Sequence, residues 1–140
     1  MKAKPEPPTL DPIAVARDWL SRYEHCVRQR DYAGAKLLFH KRTICFGLDT
    51  DLAVDVDAMT KNEWEQVWPN QLRFTFVLSK SSIIPEGSLI AVAIHWTAHS
   101  VIAGASARHG RATIVLMGFS NKKVLAVHLH MSAAAKVAIA

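Results

Sequence analysis

A chain of 140 residues holds one hydrophobic core, whereas two would each be too small to be stable, so a single domain is expected. Hydrophobic residues make up 50% and charged ones 21%, which excludes a disordered chain, and the net charge of +5 gives a surface suited to anionic ligands. The 17 Lys and Arg are scattered without an RNA-binding strand motif, and no apolar run approaches the ~20 residues of a membrane span, so neither nucleic acid nor membrane is an expected partner.

Residues 1–10 contain Pro5, Pro7 and Pro8 and lack a signal-peptide core, which reads as an extended, poorly ordered lead-in. Asp11 and Pro12 then form an N-cap and first helical residue. Ile13, Ala16, Leu20, Tyr23 and Val27 recur at helical spacing, and Trp19 and Cys26 widen that stripe. Asp31 reads as a second N-cap, opening a short helix in which Tyr32, Ala35, Leu38 and Phe39 point inward. Thr43 to Phe46 has strand character, and Asp49 to Asp57 is acidic and turn-prone. Thr60 with Glu63 forms a capping-box pattern that starts a third helix carrying Trp64, Val67 and Trp68 on one face until Pro69 stops it.

Four long strands follow, about Gln71 to Ile84, Leu89 to Ser100, Ala107 to Phe119 and Val124 to Ser132, with turns at Pro85-Glu86-Gly87 and Ser120-Asn121-Lys122-Lys123. Strands well beyond the usual ~5–6 residues bend or bulge. The expected class is α+β: three N-terminal helices packed in the concave face of a strongly curved, mostly antiparallel sheet that leaves a pocket. The domain spans 11–132 and a tail covers 133–140. Cys26 and Cys45 have neither zinc nor redox spacing, and reduced thiols in a cytoplasmic protein are the expectation.

This order of elements resembles the nuclear transport factor 2-like superfamily, and its SnoaL-like members in particular. The residues that carry the resemblance are Tyr23 ahead of Asp31 at the helix corner, Phe46-Gly47 closing the first strand, and Gly110-Arg111-Ala112-Thr113 followed by Val127-His128-Leu129-His130-Met131-Ser132. The last stretch is also similar to the association domain of calcium/calmodulin-dependent kinase II. Val124 departs from the tryptophan that the family often has after the hairpin.

The resemblance implies ligand-contacting side chains inside the cone and a dimer contact on the convex face. Strand alternation groups Ala91, Ala93, His95, Thr97 and His99 against Ile90, Val92, Ile94 and Trp96. Matching to the family turns the His95 face inward, with Arg111, Thr113, Val115 and Met117, then Val127, Leu129 and Met131. Trp96, His128 and His130 become the interface set, and a one-residue slip would instead bring His128 and His130 into the pocket.

Similarity to ketosteroid isomerases places Tyr23 at their oxyanion-donor tyrosine, yet Gly47 and Val115 fall where those enzymes have acids. Asp49 would need a loop shift to serve as base. Tyr23 and His95 are the catalytic candidates, with His99, Arg111, Thr113 and Trp64 as ligand contacts. The competing readings are a core tyrosine, a buried neutral histidine satisfied by Thr97 or Thr113, and a solvated arginine. No metal and no cofactor are implied, because no carboxylate or cysteine completes the histidine spacings. The leading reading is a homodimeric small-molecule-binding domain, with isomerase, dehydratase or cyclase-like chemistry on an apolar carbonyl- or carboxylate-bearing ligand as its enzymatic form. The alternative is a non-catalytic association module with a vestigial or regulatory pocket.

Overall fold

In the computed structural model, which describes residues 3–105 and 107–134, Asp11 accepts the Ile13 amide at 3.2 Å and Pro12 presets the first turn of α1 (Pro12–Gln29). Its buried stripe is Ala16, Trp19, Leu20, Tyr23, Cys26 and Val27. Asp31 accepts the Gly34 amide at 2.9 Å and opens α2 (Tyr32–Lys36). The first strand, β1 (Phe39–Phe46), begins at Phe39 rather than Thr43.

The third helix, α3, covers residues 56–70 as an α-helical turn Val56–Met59, a π-helical turn Thr60–Trp64, an α-helical turn Glu65–Val67 and a 3-10 turn Trp68–Asn70. Its N-cap is Asp55, which accepts the Ala58 amide at 2.7 Å, so the capping box expected at Thr60 and Glu63 does not form. Thr60 already lies within the helix, and its hydroxyl donates back to the Val56 carbonyl at 2.7 Å, leaving Glu63 free for another task.

The remaining strands are β2 (Gln71–Glu86), β3 (Leu89–Ser100), β4 (Arg108–Gly118) and β5 (Val124–Ala133). The sheet order is β1-β5-β4-β3-β2, with β1 parallel to β5 and the other pairs antiparallel. The α+β class and the mostly antiparallel sheet are as expected.

The sheet faces are not as expected. On β3 the buried set is Ile90, Val92, Ile94, Trp96 and Ala98, and on β4 it is Gly110, Ala112, Ile114 and Leu116. His95, His99, Arg111 and Thr113 therefore lie on the outer face, and Trp96 lies inside. Burying a large apolar side chain is worth about 1.5–3 kcal/mol, so a face of Ile, Val, Ile and Trp outcompetes one of Ala, Ala, His and Thr for the core. A bulge in β5 then shifts parity: Val115 pairs with His128 but Leu116 with Ala126, leaving Val127 unmatched. Ala126, Leu129 and Met131 are buried, so Val127 drops out of the expected inward set, while His128 and His130 point outward as expected.

Two further contacts fix the outline. α1 covers the free edge of β2, where Glu24 accepts the Phe76 amide at 2.7 Å and Arg28 donates to the Phe74 carbonyl and the Thr75 hydroxyl at 2.7 Å each. Residues 4–6, expected in a loose lead-in, are tied to the β4–β5 hairpin: the Glu6 amide donates to the Gly118 carbonyl and the Ser120 amide to the Lys4 carbonyl, both at 2.8 Å. Most of the expected tail, residues 135–140, lies outside the described residues.

The inward placement of Trp96 is testable through Gly110, where an added Cβ would run into the Trp96 ring and the Ser132 carbonyl oxygen. Gly110→Ala should lower unfolding free energy in urea by about 1–3 kcal/mol, the range for overpacking a filled core. An unchanged midpoint would mean that Trp96 does not pack beneath β4.

Candidate functional site

Tyr23 occupies the centre of the cone. Its ring lies 5.2 Å from Trp19, 5.4 Å from Phe39, 6.0 Å from Trp64, 6.1 Å from Trp68 and 6.2 Å from Phe76, so α1, β1, α3 and β2 meet on one side chain. Burial raises the phenol well above its ordinary pKa, and the nearby Cys45 and Glu63 add to this, so Tyr23 stays a neutral donor. The Trp64 indole N–H is near enough to offset the rise in part, but their geometry falls short of a hydrogen bond and the N–H has no acceptor.

Glu63 is 3% exposed and reaches from the π-helical turn to the end of β1. Its carboxylate accepts the Leu48 and Asp49 amides at 2.7 Å each and packs against Gly47, where any Cβ would collide with it. A carboxyl group thus stands beside Gly47, the position at which the isomerase resemblance calls for a base, but it is delivered from α3. Burial raises its pKa; the two amides oppose that rise and Asp49 reinforces it. The Thr50 hydroxyl is close by and also favours the carboxylate, although it lies outside hydrogen-bond geometry and is otherwise unpaired. Cys45 is pushed up to about 12 by burial and by Glu63, so it is an inert thiol.

A cavity opens among Tyr23, Leu48, Glu63, Trp64, Val67, Trp68, Gln71, Phe74, Leu129 and Met131. Its non-atom space is about 310 Å³, but only about 10 Å³ of it can take the centre of a water molecule. That is room for one water. The expected pocket inside the cone is therefore narrow, and two of its expected residues, Tyr23 and Trp64, line it.

The other candidates lie elsewhere. His95, Arg111 and Thr113 come together at a shallow groove on the outer sheet face, and His99 is exposed on that face as well. Their alternation was read correctly and their face was not. Trp96 is fully buried and donates to the Arg111 carbonyl at 3.2 Å, which removes it from the expected interface. His128 and His130 flank Phe46 on the outer face, at ring distances of 6.1 and 5.5 Å, and His128 Nδ1 shares a hydrogen bond with the Ile44 carbonyl at 3.1 Å. Asp49 is exposed, and it touches the site through its amide, with its carboxylate acting on Glu63 only by charge repulsion.

Sequence reasoning missed Glu63. The available signal was an acid in the stretch from Met59 to Trp68, next to Trp64 and one helical turn from Met59 and Val67. Among the described residues no group of three or more His, Cys, Asp and Glu is placed to hold a metal ion, and no helix is long and apolar enough to cross a membrane.

No protein-family model matches the chain, and no curated protein matches it by sequence. Solved structures do. A nuclear transport factor 2-like superfamily protein from Salmonella enterica superposes with a TM-score of 0.73 at 20% identity, covering 90% of this chain and 93% of that one. A candidate calcium/calmodulin-dependent protein kinase II association domain from Xanthomonas campestris gives 0.76 at 12% identity, covering 98% and 99%. A candidate ketosteroid isomerase from Shewanella frigidimarina gives 0.69 at 10% identity, covering 84% and 94%. At these identities the likeness shows the fold, and the chain has the nuclear transport factor 2-like cone fold.

The buried carboxyl makes stability depend on pH. A folded pKa above the ordinary 4.5 means that the folded state holds the Glu63 proton more tightly, so its contribution is fully present below that value and is lost as pH rises through the folded pKa. In urea unfolding at stepped pH, the stability of the wild type relative to Glu63→Gln should fall across that window. A gap that widens with pH would show instead that the Leu48 and Asp49 amides dominate.

Proposed function

We propose that the chain is a small-molecule-binding domain whose site is the cavity beneath α3, and that it takes a flat, largely apolar ligand bearing one carbonyl or hydroxyl oxygen. The observation that carries this reading is the Trp64 indole N–H, fully buried at the cavity and without an acceptor. An unpaired buried donor costs about 1–3 kcal/mol, a penalty that a ligand oxygen removes. Tyr23 offers a second donor from the same wall, and the aromatic lining suits an apolar body. Admitting such a ligand requires the lining to repack, and Met131 has the flexible thioether chain suited to that.

Binding is favoured over isomerisation by the state of Glu63. Both of its oxygens are held by backbone amides, so the carboxylate is occupied in fixing the residue 47–50 loop. A general base must reach its proton within hydrogen-bond distance, and although Glu63 borders the cavity, both of its oxygens are already engaged by the loop amides.

Calorimetry with acetophenone and ethylbenzene, in which a methylene stands in place of the carbonyl, tests the proposal. The wild type should prefer acetophenone by about three- to tenfold, the worth of one neutral hydrogen bond. Tyr23→Phe and Trp64→Phe should each reduce that preference. Equal binding of the two probes, or a preference unaffected by both substitutions, would sink it.

A second reading, association through the outer face, has its own observation. Ile44 and Phe46 are 45% and 40% exposed there beside His128 and His130, and a two-fold contact favours such an apolar, self-complementary patch. If the chain is a homodimer through this patch, Phe46→Asp should yield monomers by light scattering. A mass that does not change would reject this interface.

A further inference from the structure

The outer face of the sheet has a second, chemically distinct half. Between the pairs Val77–His95 and Ser81–Ile94, the β2 residues Leu78, Ser79 and Lys80 have no partners on β3. A bulge of this kind turns side chains away from the regular pleat. It forms one wall of an open groove of about 450 Å³, whose other walls are His95, directly paired with Arg111, and Thr113, directly paired with Ala93. The small Ala93 leaves the floor low. That volume lies within the ~300–1,000 Å³ usual for small-ligand sites.

The chemistry of the lining is one-sided. Lys80 and Arg111 carry the charges, Ser79, Ser82 and Thr113 add hydroxyls, and no carboxylate lines the groove. Among the described residues, the ion pairs are Arg22–Asp18, Lys36–Asp57 and Lys122–Glu6, so neither Lys80 nor Arg111 has an ion-pair partner among them. An arginine fork and a lysine ammonium facing one space, with hydroxyl donors around them, match a tetrahedral oxyanion better than a neutral ligand.

We infer that this groove is a binding site for a small phosphorylated molecule, with Arg111 and Lys80 holding the phosphate group and the Ser79, Ser82 and Thr113 hydroxyls adding donors. The site does not depend on the cavity beneath α3, which lies on the other side of the sheet.

The test is an amide chemical-shift titration of the whole chain with inorganic phosphate and with pyrophosphate, at ionic strength held constant with chloride. Shifts should concentrate at residues 79–82, 93–95 and 111–113. Arg111→Gln should weaken phosphate at least about tenfold, as expected for loss of a charge-assisted bidentate pair, and Lys80→Gln should weaken it to a lesser extent. Lys41→Gln, an exposed charge on β1, should change neither affinity nor shift pattern. Unfolding midpoints of all three variants guard against misfolding, since these side chains are exposed. Phosphate binding equally weakened by Lys41→Gln would show only diffuse charge attraction and overturn the site, as would an Arg111→Gln protein that binds like the wild type. A thymidine oligonucleotide serves as a further arm. If it perturbs the whole cationic surface and outcompetes pyrophosphate, the face is a nucleic-acid surface and the inference fails.

Discussion

The burial of Tyr23 is the constraint from which the rest of the structure follows. Its ring is surrounded by Trp19 from its own helix, Phe39 from β1, Trp64 and Trp68 from α3, and Phe76 from β2, so each of these elements is positioned against the others through one side chain. Aromatic contacts of this kind are worth about 0.5–1.5 kcal/mol each beyond the area they bury. The same packing fills most of the cone. The fold leaves a pocket in principle, while these particular side chains reduce it to a narrow space with polar groups at its wall.

Glu63 ties that space to the surface. A carboxylate inside an aromatic core is costly, and the cost is offset by the Leu48 and Asp49 amides at the end of β1. The π-helical turn Thr60–Trp64 belongs to the same arrangement, because it contains Glu63, which holds the loop amides, and Trp64, and both side chains border the cavity. π-turns often mark functional sites. The loop clamped by Glu63 carries Leu48, which lines the cavity.

Much of the fold was legible in the sequence because capping residues and periodicity are local signals. Asp11 and Asp31 cap helices as read, and the β3 to β5 strand limits fall within a residue of their expected positions. Alternation also grouped the β3 side chains correctly. What alternation does not contain is the sign of the face, and there the comparative hydrophobicity of Ile90, Val92, Ile94 and Trp96 was the better guide than family resemblance. The cavity was less legible: Tyr23 and Trp64 line it as expected, His95 and Arg111 were assigned to the wrong side of the sheet, and Glu63 was hidden by a capping pattern that Asp55 pre-empts. A bulge such as that at Val127 reverses parity without any residue to announce it.

The most direct test of the central claim, an open indole donor at the cavity, is the indole N–H spectrum of the four tryptophans during titration with acetophenone. Trp19 and Trp96 already donate to the Leu38 and Arg111 carbonyls, whereas Trp64 has no acceptor. The Trp64 resonance should move downfield and saturate while those of Trp19 and Trp96 stay in place. A stationary Trp64 signal at saturating ligand, or equal movement of all four, would contradict the account.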